Sequence, residues 1–171
     1  MKVLFLLSPM FREWPRAMAR EIHALEPGSS FPALVVGSRR IVARVQAWSD
    51  PGFSPLYDVD ELERQWLATP SDPARLRELE RRLVPGALNR ILVSDRTVGA
   101  GFVSGARLAS SGLLRGARSS PVEVPRRYVQ GLVDFTWRTL EEHRPDVVFC
   151  YTVAGAHAMA LAEVCAAMDI P

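Results

Sequence analysis

The chain opens on an unbroken apolar run, "KVLFLL" at residues 2–7, stopped by Ser8-Pro9. Such a run, without polar alternation, predicts a strand buried on both faces, as in a parallel sheet. Residues 12–26, "REWPRAMAREIHALE", change to a helical period. Trp14, Met18, Ile22 and Leu25 share one face there, and Pro27-Gly28 ends the helix. "FPALVVGS" (31–38) reads as a second strand. A β-α-β unit starting at the first residue predicts a Rossmann-like, three-layer α/β/α fold with a mainly parallel sheet.

The middle of the chain is more polar. "SPLYDVDELERQWL" (54–67) and "SDPARLRELERRL" (71–83) predict two amphipathic helices, the second with Ser71 as N-cap and Pro73 in its first turn. Their arginines and glutamates recur at i, i+3 and i+4, the spacing of a solvated helix face. "LLRGARSSPVEVP" (113–125) is a connector punctuated by Gly, Ser and Pro. The stretch 126–145 then predicts a long helix with Tyr128, Leu132, Phe135 and Leu140 as its apolar stripe and Pro145 as its stop. "DVVFCY" (146–151) reads as a third strand, followed by an alanine-rich helix at 154–168 that is apolar on most faces.

Composition narrows the classes little. The chain has 171 residues, 48% hydrophobic and 23% charged, which suits one ordinary globular domain. With 21 basic against 19 acidic residues the net charge is +2, so no strong field points to nucleic acid. Lys2 is the sole lysine and arginine supplies the other basic residues, a bias that fits codon usage better than phosphate binding. The first ten residues hold too short an apolar run for a signal peptide, and no run approaches the length of a membrane span. Cys150 and Cys165 lack metal-ligand spacing and read as reduced core residues, so the chain is expected to be cytoplasmic.

Several chemistries find no motif. No GxGxxG joins the first strand to the first helix, and no P-loop or GxSxG occurs. Gly99, Gly101 and Gly105 begin four residues after Asp95 rather than at a strand end, which leaves a nucleotide loop, a closely packed small-residue helix or a mobile loop as readings. No acidic pair follows the first strand, against a receiver domain, and no His, Cys, Asp and Glu cluster has metal spacing. Neither a metal nor a cofactor is expected.

A helix ending in "EEHRPDVVFCY", followed by "AGAHAMALAEVCAAMDIP", resembles the N-terminal domain of GT-B glycosyltransferases, as does the "MKVLFLLSP" opening. The likeness is to the capsule and surface-polysaccharide biosynthesis members; nucleotide-sugar 2-epimerases share the architecture. The resemblance implies that residues 1–171 are one Rossmann-like domain, cut before a further strand after Asp169-Ile170-Pro171. It implies an acceptor-side domain of a two-domain transferase, with the nucleotide-sugar donor held mostly by the absent C-terminal domain and an acceptor sugar here. A 2-epimerase-like domain and a non-catalytic Rossmann-like binding domain are the alternatives. The whole protein is expected to associate peripherally with a membrane and to take no nucleic acid, while a truncated sheet edge would favour a homodimer.

Ligands of doubly wound sheets lie beyond the carboxyl ends of the strands. That rule selects the segment from Ser8 to Arg12 and the segment from Thr152 through Gly155 to His157. His157, near the first turn of its helix, could take a proton from an acceptor hydroxyl, or simply pack with Leu161 and Val164. Asp95 is the second candidate base, with Arg96 beside it to bind substrate; a helix cap or an ion pair is the plainer role. Ser8, Arg12, Thr152 and Gly155 are expected to bind substrate, Thr152 having an N-cap as its structural alternative. His23 and His143, near helix ends, are expected to be exposed.

Overall fold

In the computed structural model, which describes residues 1–8, 13–95, 98, 122–151 and 155–171, the opening apolar run forms β1 (Val3–Leu7), buried throughout. It pairs in parallel with β2 (Ala33–Val35) on one side, Phe5 facing Ala33, and with β4 (Val147–Phe149) on the other, Phe5 facing Phe149. β3 (Leu56–Asp58) adds to β2, Leu34 facing Tyr57. The order is β3-β2-β1-β4 with every pair parallel. This is the Rossmann-like α/β arrangement the sequence predicts, and the chain reverses direction across the sheet between β1 and β4.

Two compact units make up the fold. The first comprises Met1–Leu62, Leu140–Thr152 and Ile170–Pro171; the second comprises Glu63–Thr139 and Val153–Asp169. The first holds the sheet with α1 (Glu13–Leu25) and α2 (Arg39–Gln46). Val3, Phe5, Leu7, Ala33 and Val35 form one core with Ala19 of α1 and Val42 and Val45 of α2. Phe5 is its centre, with the rings of Phe53 and Phe149 each 5.3 Å away and that of Phe31 at 6.1 Å. Leu4, Leu6 and Leu34 point to the other face and are buried as well, as a layered α/β/α arrangement requires.

Local chemistry accounts for where the elements begin and end, and corrects several expectations. Of the expected stripe of α1, Met18 and Ile22 face the core with Pro15 and Ala19 beside them, while Trp14 and Leu25 are 74% and 87% exposed. Residues 54–67 do not form one helix: β3 precedes α3 (Val59–Ala68), and Asp58 caps α3 by accepting from the N–H of Glu61 at 3.2 Å. The free edge of β2 decides this, because Leu56 and Tyr57 gain a strand partner there. Helix α4 (Pro73–Arg82) is capped by Asp72, which accepts from the N–H of Ala74 at 2.8 Å, rather than by Ser71. Both the N–H and the hydroxyl of Ser71 donate to Glu123 instead, each at 3.0 Å.

The second unit is helical: the end of α3, α4, α5 (Ala87–Ser94), most of α6 (Glu123–His143) and α7 (Ala156–Met168). α6 starts three residues before its expected first residue because Glu123 suits a helix N-terminus and Pro125 is tolerated in a first turn. Tyr128, Leu132, Phe135 and Leu140 are all buried, as the helical period predicts. The alanine-rich α7 buries Ala156, Ala158, Ala160, Leu161, Val164 and Cys165 and packs on α5, with Arg90 and Glu163 joined by two hydrogen bonds of 2.6 and 2.9 Å. Cys165 is buried and Cys150 half-buried.

His143 is not exposed as expected. It is half-buried in the first unit, its Nε2 2.6 Å from the Tyr57 hydroxyl while its carbonyl accepts from Lys2 Nζ at 2.6 Å. Burial, and then the Glu142 carboxylate, push the Tyr57 phenol above its ordinary value. His23 is also half-buried, with Nδ1 lacking a hydrogen-bond partner among the described residues. Among the described residues no helix is long and apolar enough to cross a membrane.

Candidate functional site

Four polar side chains converge inside the second unit, one from each of four segments. Glu63 comes from α3, where it shares a face with the buried Val59 and Trp66. Asp95 is the residue that closes α5. Tyr128 stands on the buried stripe of α6, and His157 in the first turn of α7. The amphipathic packing of the helices, not any local sequence motif, brings them together.

The contacts form a chain. His157 Nε2 lies 2.8 Å from Glu63 Oε1, with the two side chains 17% and 12% exposed. The Tyr128 hydroxyl donates to Asp95 Oδ2 at 3.1 Å, and the Glu63 carboxylate is close enough to act on it electrostatically. The rings of Tyr128 and His157 stand edge to face, 6.4 Å between centroids at 80°. The other Asp95 oxygen, Oδ1, accepts from the N–H of Val98. Asp95 is therefore held at both oxygens, one by backbone and one by a phenol.

A phenol has one proton, and Tyr128 gives it to Asp95. Burial in the first place, then the charges of Asp95 and Glu63, push the Tyr128 phenol well above its ordinary value. It is thus a fixed neutral donor. Glu63, in its ionised form, can only accept, which requires the imidazole proton to sit on Nε2. Nδ1 of His157 is then the nitrogen with a lone pair, and it makes no hydrogen bond to a described residue. A carboxylate that fixes one imidazole nitrogen and leaves the other free is the arrangement general-base catalysis uses.

The remaining expected site residues fall elsewhere. Gly155 is the N-cap of α7 with φ 95° and ψ 152°, a conformation that only glycine adopts without strain, so its role there is set by its backbone. Ser8 closes β1 and is buried, with a hydroxyl that has no hydrogen-bond partner among the described residues. Arg12, Arg96 and Thr152 lie outside the described residues, as do Gly99, Gly101 and Gly105. Of the expected set, His157 and Asp95 belong to one cluster, linked through Tyr128 and Glu63.

Sequence reasoning assigned neither Tyr128 nor Glu63 to a site. Tyr128 counted as stripe, although a tyrosine buried in a stripe needs a partner for its hydroxyl. Glu63 counted as solvated face, although its spacing from Val59 and Trp66 places it with the apolar residues of α3. Among the described residues, no group of three or more His, Cys, Asp or Glu side chains is arranged to hold a metal ion. No family model matches the chain, and no curated protein or solved structure matches it significantly.

Proposed function

We propose that the chain is the acceptor-side N-terminal domain of a GT-B-type glycosyltransferase of surface-polysaccharide assembly, acting in the cytoplasm, with His157 as the base. The observation that carries this reading is the His157–Glu63 contact of 2.8 Å, which puts the ring proton on Nε2 and the lone pair on Nδ1. In the reaction, an acceptor hydroxyl gives its proton to Nδ1, its oxygen bonds to the anomeric carbon of the donor sugar, and the nucleotide diphosphate departs with the bonding electrons. Glu63 positions the ring and steadies the imidazolium, and Tyr128, itself held by Asp95, packs edge to face on the imidazole. The parallel sheet of order β3-β2-β1-β4 is compatible with such a domain.

The test is saturation-transfer NMR on the intact chain with a panel of mono- and oligosaccharides and of UDP- and GDP-sugars. An acceptor-side domain gives signals from one or more free sugars, lost in His157→Ala, and little from nucleotide sugars. Tight binding of a nucleotide sugar would overturn the assignment of side. Sugar binding that survives both His157→Ala and Glu63→Gln would favour a non-catalytic binding domain instead.

A further inference from the structure

Away from the His157 cluster, the second unit has a cavity of about 360 Å³ bounded by α4, α5 and the start of α6. Leu76, Leu88, Leu92 and Val129 give it an apolar floor, and the guanidinium-bearing Arg77 and Arg126 stand at its rim. The two arginines differ from four of their neighbours. Arg75, Arg82, Arg90 and Arg127, on the same three helices, each meet a carboxylate. The guanidiniums of Arg77 and Arg126 are exposed and meet none among the described residues. Glu80, also on the rim, pairs with neither.

We infer that this cavity binds a small amphipathic carboxylate, with its apolar body on the leucine floor and its head between Arg77 and Arg126. The volume falls in the range of small-molecule sites, which combine an apolar lining with a few convergent polar groups. Two guanidiniums and one carboxylate leave a rim charge of +1, which a monoanion neutralises. A phosphate monoester, at about −1.5 to −2 near neutral pH, leaves excess negative charge beside Glu80. Guanidinium also matches a carboxylate in planar geometry and hydrogen-bond spacing.

Calorimetric titration of the intact chain with decanoate, decanol, decyl phosphate and inorganic phosphate tests this. Decanoate is expected to bind saturably, about tenfold or more tighter than decanol, since a charge-assisted hydrogen bond of this kind contributes about that factor. Decyl phosphate is expected to bind more weakly than decanoate, and inorganic phosphate not at all. Arg77→Ala and Arg126→Ala should each weaken decanoate by a similar factor while leaving decanol unchanged. Arg40→Ala, at an exposed position in the first unit, should change neither. Both rim positions are exposed, so the variants are expected to fold, which circular dichroism checks. Equal affinity for decanol and decanoate, or decanoate binding untouched by either rim variant, would overturn the inference. Tighter binding of decyl phosphate would overturn the choice of head group.

Discussion

His157 Nε2 and Glu63 Oε1 lie 2.8 Å apart with both side chains largely withdrawn from water, though 94 residues separate them in the chain. Such a pair is strengthened by its low-dielectric surroundings, and breaking it from either end leaves a buried group unpartnered. Glu63→Ala and His157→Ala should each cost about 1–3 kcal/mol in urea unfolding. The double variant should cost less than their sum, by about 0.5–3 kcal/mol. Strict additivity would mean the two side chains do not interact in solution.

Tyr128 should govern the alkaline limit. Its folded pKa lies above the unfolded value near 10, so its contribution is complete below about pH 10 and is lost as pH climbs towards the folded value. Stability should therefore fall steeply above pH 10, and Tyr128→Phe should flatten that fall. Some decline remains in the variant, because Tyr57 is shifted in the same direction. Unfolding measured from pH 9 to 12 checks this, and an unchanged slope in the variant would refute it.

Glu123 should govern part of the acid limit. The Ser71 N–H, and then the Arg127 guanidinium, hold its carboxyl down at about 2, against 4.5 for a free glutamate. A depressed folded pKa gives stability that is present above about pH 4.5 and disappears as the pH falls towards 2. Glu123→Gln should be less stable than the parent at neutral pH, with the difference shrinking below pH 4.5. A difference constant from pH 7 to pH 2.5 would show that the charge on Glu123 is not what matters.

Gly131 allows α6 to lie directly against the indole of Trp66. A Cβ at this position would fall inside the van der Waals surface of the Trp66 ring, and Trp66 is itself buried against Tyr128 and Phe135. Gly131→Ala should destabilise by about 1–3 kcal/mol or more through overpacking, despite the better helix propensity of alanine. A shifted tryptophan emission should accompany the loss. A more stable variant with unchanged emission would mean the contact is looser than drawn.

Much of the fold was legible because burial on both faces leaves a plain sequence trace. "KVLFLL" reads as a strand buried on both faces, and the period of residues 126–145 predicts the buried stripe of α6. β3 was not legible. "LYD" has no strand signal of its own, and it becomes a strand because the edge of β2 supplies hydrogen-bond partners. α2 passed unread for a related reason: eight residues rich in arginine reveal a helix only once Val42 and Val45 have a core to face.

The candidate site divides the same way. Sequence alone determined that His157 opens a helix after the last strand, that Asp95 ends an apolar segment, and that Tyr128 points inward. Tertiary structure decided that these three share one cluster, and that Glu63 completes it. The physical reason is that hydrogen-bond partners inside a helical unit are chosen by which faces pack together. Helical period fixes the face of each helix, but the pairing of faces between α3, α5, α6 and α7 is recorded only in the folded chain.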